Sequence, residues 1–318
     1  MVVAGASAAE APPGIEHAGP RTDIRYAPDA AALAEELAGA DILFWWRAER
    51  AWLEAAWPAA ADLRWIQSAS DGVDGLLFPA LVQSDVTVTN ARGVFDASIA
   101  EWAIGAILAF ATGLRRSIVD TEHGRWEDGR TRDRVAGSHL VVVGSGPIGR
   151  AAARRAHDLG MAVTLVGRAP RDDPEFGRIE GPEGLHAVLA GADHVLDALP
   201  LAPGTQRLFD AAAFAAMKPG AVFYNVGRGG TVDEEALLAA VDGGHLGGAA
   251  LDVFDREPLP PDSPWWSAPN VVVSPHVCGD VADWEEQVVA VFVDNLGRYV
   301  RGEPLHNLVD VAAGFGRG

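Results

Sequence analysis

The chain has 318 residues, enough for two domains of ordinary size, and its 49% hydrophobic and 22% charged residues are the balance of a globular rather than a disordered protein. A formal net charge of −19, from 44 acidic and 25 basic residues, argues against nucleic acid or an anionic membrane as a general partner. No apolar stretch nears the roughly 20 residues that cross a bilayer, and the single Cys278 excludes an intramolecular disulfide framework, so a cytoplasmic location is expected.

In chain order, the opening MVVAG reads as a short first strand, without the basic head and sustained apolar segment of a signal peptide. A strand over 23–25 precedes an Ala/Leu/Glu-rich helix over 29–37, with Asp29 as N-cap. Apolar runs at 41–45, 63–67 and 86–89 predict further strands, and their alternation with helices implies a parallel sheet covered on both faces. Residues 97–114 predict one long buried helix capped near Asp96 or Ser98. A second α/β series follows, with strands over 140–143, 163–166, 194–198, 221–225, 248–252 and 271–274 and helices over 149–159, 211–217 and 233–241. Helical apolar spacing over 284–300 returns the chain to the first domain.

The strongest local signal is the run LVVVGSGPIGR from Leu140 to Arg150. Four apolar residues form a buried strand, Gly144 permits a tight turn, Gly146 lets the backbone approach a pyrophosphate, and Gly149 lets the next helix pack closely. The helix N-terminus then offers free N–H groups and a positive dipole end to phosphates. A carboxylate for the adenosine ribose is expected at the end of the following strand, but Arg168 stands there, 19 residues beyond Gly149, with Arg171 close behind. Two guanidiniums suit a 2′-phosphate, so NADP(H) is expected over NAD(H). Asp172 and Asp173 come too late to replace the missing acid.

Three later segments each begin or follow a predicted strand end, where open α/β sheets gather ligands. They carry Arg228, Glu257 and His276. Reduction of a 2-oxo acid needs a cation to orient the carboxylate, an acid to protonate the developing alkoxide, and a carboxylate to keep that acid charged. Arginine, histidine and glutamate fit these roles.

In the stretches NVGRGGTVDEEAL, LDVFDREPLP and NVVVSPH, in that order, the chain resembles the family of D-isomer-specific 2-hydroxyacid dehydrogenases, over almost its whole length from Gly72 onward. The resemblance implies an α/β fold of two doubly wound parallel-sheet domains flanking a cleft. A Rossmann coenzyme domain (97–281) would be inserted into a flavodoxin-like substrate domain (1–96 and 282–318). It implies that Arg228 binds the substrate carboxylate, His276 donates the proton and Glu257 pairs with His276. Backbone amides at Gly72 and Val73 would complete the carboxylate cradle. Pro147 and Ile148 would sit at the pyrophosphate, Leu199, Pro200 and Leu201 beside the adenosine, and Asp252 toward the nicotinamide, with Val226 as a further cofactor-binding residue. Arg168 in place of the usual ribose acid points to the glyoxylate and hydroxypyruvate reductase branch.

Trp45 is a candidate wall for the substrate side chain, with core packing as the equally weighted alternative. Trp265 and Trp266 are read first as core. Glu101 and the apolar helix after it resemble the segment that the family buries between two coenzyme domains, which implies a homodimer, while a simple core helix has the same pattern. No histidine or cysteine spacing suits a metal, so none is expected. The rival functions are a formate or phosphite dehydrogenase of the same fold, which the Glu257–His276 pairing disfavours in the formate case, and a dinucleotide-sensing corepressor relative.

Overall fold

A strand that is apolar throughout has no solvent face, and inside a parallel sheet such a strand is buried on both faces. In the computed structural model, which describes residues 1–19, 22–129 and 131–316, β1 (Val2–Ala4) has no exposed surface. β2 is Arg25–Ala27 rather than 23–25, because Val2 pairs with Arg25 and the Arg25 N–H donates to the Met1 carbonyl at 3.0 Å. α1 (Ala30–Glu36) starts on Asp29, whose carboxylate accepts the Ala32 N–H at 2.9 Å. Next come β3 (Ile42–Trp45), α2 (Arg50–Ala56), β4 (Trp65–Ser68), α3 (Pro79–Val82) and β5 (Thr87–Thr89). These strands are parallel in the order β2-β1-β3-β4-β5, the flavodoxin-like arrangement.

The chain divides into one unit of Met1–Phe95 with Asp280–Gly318 and another of Asp96–Gly279. The second unit opens with α4 (Asp96–Ala111), which ends three residues before the predicted boundary. Gly113 adopts φ 70°, breaks the helix, and α5 (Leu114–Glu122) leaves at 73°. The predicted full burial of this segment holds on one face only. Ile99, Ala103 and Ile107 are buried, while Trp102, Ile104 and Leu108 are half-buried and Glu101 is exposed. No single described helix is long and apolar enough to cross a membrane.

The remaining elements of this unit are β6 (His139–Val143), α6 (Pro147–Asp158), β7 (Ala162–Val166), an unpredicted hairpin of β8 (Arg171–Asp173) and β9 (Gly177–Ile179), α7 (Leu185–Leu189), β10 (His194–Asp197), α8 (Ala211–Ala216), β11 (Val222–Asn225), α9 (Glu234–Asp242), β12 (Gly248–Leu251) and β13 (Val271–Val273). Its parallel sheet runs β7-β6-β10-β11-β12-β13. A Rossmann sheet has one more strand outside β7, and here that position is reduced to a parallel bridge between Val166 and Glu180. Val143, Asp197, Asn225, Leu251 and Val273 are in register from strand to strand, so the loops after β6, β10, β11, β12 and β13 leave one edge. The strand order reverses between β6 and β10, which is where ligands of such sheets bind. Phe209 and Phe214 stack on each other and pack edge-on against Phe223 of β11.

The chain then returns to the first unit through α10 (Trp284–Arg301), which stacks Phe292 on Phe44 and Trp65, and ends in the pair β14 (Val309–Asp310) and β15 (Phe315–Gly316).

Candidate active site

The glycine-rich turn closes after β6, and each glycine has a distinct geometric reason. Gly144 has φ 120°, and a side chain there would meet the Ala198 carbonyl at 2.5 Å. A Cβ on Gly149 would lie 1.9 Å from the Gly144 carbonyl oxygen, so α6 seats on the turn only without one. Gly146 has open space around its Cα, room for a ligand to approach the backbone. Pro147 occupies the first turn of α6, where its missing N–H costs no helical bond.

At the end of β7, Arg168 and Arg171 are both exposed, and Arg171 Nη2 donates to Ser145 Oγ at 2.9 Å. The guanidinium therefore reaches from the ribose end of the sheet back to the turn. Asp173 is committed elsewhere: Arg150 grips it at 2.7 and 3.1 Å and holds its carboxyl well below the usual range, helped by the Glu175 and Phe176 N–H groups. Asp172 is fully open to solvent. The cradle thus presents cations and a hydroxyl where a ribose-binding acid would stand. Ser145 went unread in the sequence, as an unconstrained position of the glycine motif, although a hydroxyl there is its own signal.

Arg228 follows β11 on a turn locked by side chains. Asn225 Nδ2 donates to the Arg228 carbonyl at 3.1 Å, and Thr231 Oγ1 lies 2.6 Å from the same oxygen. Gly229 is obligatory, since a Cβ there would fall 1.9 Å from the Phe254 carbonyl carbon. The Arg228 turn and the Glu257 loop therefore rest backbone on backbone. Glu234 ties that loop down, accepting the Asp255 N–H at 2.7 Å and the Trp265 indole N–H at 3.1 Å. Trp265 is core and Trp266 is half-exposed. Glu234 also went unread, because a second acid in a DEE run resembles helix N-terminal charge.

Glu257 uses both oxygens. Oε1 accepts the Phe254 N–H at 2.8 Å and Oε2 meets His276 Nδ1 at 2.7 Å. The Glu257 hydrogen bond raises the His276 pKa above its ordinary value, against a smaller opposing effect of burial. Burial pushes Glu257 upward, but the bond from His276 and the Phe254 N–H outweigh it and hold the carboxyl below its ordinary range. The Arg228 charge acts on both groups, so the three residues form one electrostatic cluster. With Nδ1 bound to Glu257, the imidazolium has Nε2–H left to give.

His276 has φ 56°, a left-handed backbone that costs a non-glycine residue about 1–3 kcal/mol. Asp252 enforces it. Its carbonyl accepts the His276 N–H at 2.8 Å, and its buried carboxylate accepts Ser274 Oγ at 2.6 Å and the Val277 and Cys278 N–H groups at 3.0 Å each. The residue assigned by resemblance to the nicotinamide also folds the histidine loop.

In the other unit, Gly72 and Val73 follow β4, and the Val73 side chain is core. Trp45 is 7% exposed and packs among the core residues of its own sheet, which is the core alternative left open by the sequence. Trp46, beside it, is also buried and stacks on Trp284.

A family model described as D-isomer specific 2-hydroxyacid dehydrogenase, NAD binding domain, matches residues 104–278. The chain is 37% identical over 239 residues to an (S)-sulfolactate dehydrogenase of Chromohalobacter salexigens, covering 74% of this chain and 77% of the relative. It is 35% identical over 254 residues to a glyoxylate/hydroxypyruvate reductase B of Citrobacter koseri, covering 78% of each. Among solved structures, the NADPH-dependent glyoxylate/hydroxypyruvate reductase of Sinorhizobium meliloti, in complex with NADP and sulfate, superposes with a TM-score of 0.83 at 29% identity over 99% of each chain.

Proposed function

Because the chain belongs to the D-isomer-specific 2-hydroxyacid dehydrogenase family, and so is an NAD(P)-dependent oxidoreductase, we propose that it reduces a small 2-oxo acid to the D-2-hydroxy acid and prefers NADPH. The 2-oxo acid is of the glyoxylate or hydroxypyruvate kind, or larger. The observation that carries this reading is the 2.7 Å bond between His276 and Glu257 within the field of Arg228.

Arg228 supplies a planar pair of donors for the substrate carboxylate and draws electron density from the adjacent carbonyl. His276 Nε2 gives its proton to the carbonyl oxygen as negative charge develops there, and Glu257 holds the imidazolium in place and charged. A nicotinamide, when bound, supplies the hydride. Gly144, Gly146, Pro147, Ile148 and Gly149 would hold its pyrophosphate, Leu199 and Pro200 its adenosine, and Val226 and Asp252 its nicotinamide end. Arg168, Arg171 and Ser145 would hold the 2′-phosphate, and Arg171 bound to Ser145 favours NADPH over NADH. Trp45, sealed in its core, is left out of the assignment. A homodimer through the coenzyme unit belongs to the same proposal, supported by the exposed Leu114, Ile118 and Trp126 on and beyond α5.

The test is NADPH and NADH oxidation against glyoxylate, hydroxypyruvate, phenylpyruvate and a sulfonated 2-oxo acid. Turnover with at least one acid and a higher kcat/KM with NADPH is the expected result. NADPH binding without turnover on any acid would favour a dinucleotide sensor, and a higher kcat/KM with NADH would overturn the cofactor preference.

A further inference from the structure

Asp197, the last residue of β10, has no solvent exposure. Its Oδ1 accepts the Leu199 N–H at 3.0 Å. Its Oδ2 lies 2.5 Å from Thr231 Oγ1, and Thr231 is equally buried. The same Thr231 oxygen lies 2.6 Å from the Arg228 carbonyl. A hydroxyl has one hydrogen, and a carbonyl has none to give. If the Thr231 hydrogen points at an ionised Asp197, two acceptors face each other across 2.6 Å at Arg228. If it points at Arg228, an ionised Asp197 faces a lone pair. One hydrogen shared between the two acceptors gives two weak, bent bonds; both contacts become full hydrogen bonds when the carboxyl carries a hydrogen of its own.

We infer that Asp197 is a positioning residue acting as a neutral carboxylic acid, which donates to Thr231 so that Thr231 can hold the Arg228 carbonyl. The inference rests on the role proposed for Arg228. Its surroundings agree with it. The flanking register partners are Val143 and Asn225, both uncharged, and Arg228, the one charged residue of the adjoining turn 227–231, acts electrostatically on Glu257 and His276. Burial pushes the Asp197 carboxyl up to about 7, against the bonds from Thr231 and Leu199. A carboxylic acid kept neutral by an apolar site is a hydrogen-bond donor that an ordinary carboxylate is not.

The arrangement links the two sides of the site. Asp197 fixes Leu199, assigned to the adenosine, through one oxygen and the Arg228 turn through the other. Gly227 backs directly onto this loop, since a Cβ there would lie 2.5 Å from the Leu199 carbonyl. Loss of the acid therefore loosens the carboxylate-binding arginine without touching the substrate.

The experiment compares the full-length wild type with Asp197→Asn, Asp197→Ala, Thr231→Ser and Thr231→Val. Asparagine reproduces the neutral acid, donating to Thr231 and accepting from Leu199. Infrared difference spectra of wild type minus Asp197→Asn, taken about two pH units above the ordinary carboxylate pKa, should show the C=O stretch of a protonated, buried acid. Asp197→Ala and Thr231→Val should raise KM for the 2-oxo acid about tenfold, while Asp197→Asn and Thr231→Ser restore it to near the wild-type value. Absence of the acid band, or an Asp197→Asn variant as impaired as Asp197→Ala, overturns the inference. If Asp197→Ala fails to fold, the Thr231 pair and the infrared band still decide. The band reads the proton without turnover, so a wild type inactive on every 2-oxo acid would strike the proposed function and leave the infrared result to judge Asp197.

Discussion

Replacing Glu257 by Gln removes the charge that keeps His276 protonated and leaves its loop bond available. The amide oxygen can still accept the Phe254 N–H, which the carboxylate accepts at 2.8 Å. The amide nitrogen then faces His276 Nδ1 and donates to it, which favours neutral imidazole over imidazolium. A hydrogen bond between charged partners is worth about 1.5–3 kcal/mol. His276 and Glu257 are 45% and 34% exposed along their side chains, so solvent screens the pair and the lower end applies. At about 1.4 kcal/mol per factor of ten, kcat/KM for 2-oxo acid reduction should fall about tenfold in alkaline solution. The sign with pH follows from the direction of the shifts. His276 is raised, so the protonated donor persists above the ordinary histidine range and activity is lost as pH rises through its pKa. In Glu257→Gln that loss should begin at lower pH, and the gap to wild type should narrow as acid protonates the imidazole unaided. The assay is initial-rate NADPH oxidation across pH. A gap of constant size, or an alkaline limb that does not move, would refute the reasoning.

Gly149→Ala puts a methyl 1.9 Å from the Gly144 carbonyl oxygen, so α6 must lift from the turn. Overpacking of this kind costs about 1–3 kcal/mol, and a fluorescence titration should show NADPH binding weakened together with a lower Tm; unchanged binding would contradict the packing argument. Asp252→Ala strands one hydroxyl and two N–H donors and removes the frame around the left-handed His276. The buried Cys278 N–H costs about 1–3 kcal/mol when unsatisfied and the part-buried Ser274 and Val277 donors cost less, so denaturant unfolding should show a loss of about 1–3 kcal/mol, and kcat should fall with it. Retained stability would mean that the loop holds itself.

The parallel sheets were legible because their strands are short apolar runs between helical patterns, and HLVVVGSGPIG states a strand, a turn and a helix in one line. Arg228, Glu257 and His276 were legible as residue types at strand ends. What escaped was everything set by pairing at a distance. The start of β2 is fixed by its register with β1, not by its own residues. The β8–β9 hairpin is polar and carries no alternation, so only its bridge to β7 reveals it. The long helix over 97–114 broke at Gly113, one glycine in an otherwise continuous apolar pattern. Asp197 passed as the end of a strand, although an acid at the last position of a wholly buried run, HVLD, was a signal that it needed a partner. Trp45 illustrates the converse, since an aromatic pair at a strand end says nothing about which face each ring takes.

The central claim is that His276 gives the proton, and His276→Ala tests it most directly. With saturating NADPH and the best 2-oxo acid, kcat should fall by roughly 10²–10⁴, the usual loss of a general acid, while NADPH affinity stays near that of the wild type. Turnover close to wild type in this variant would contradict the account.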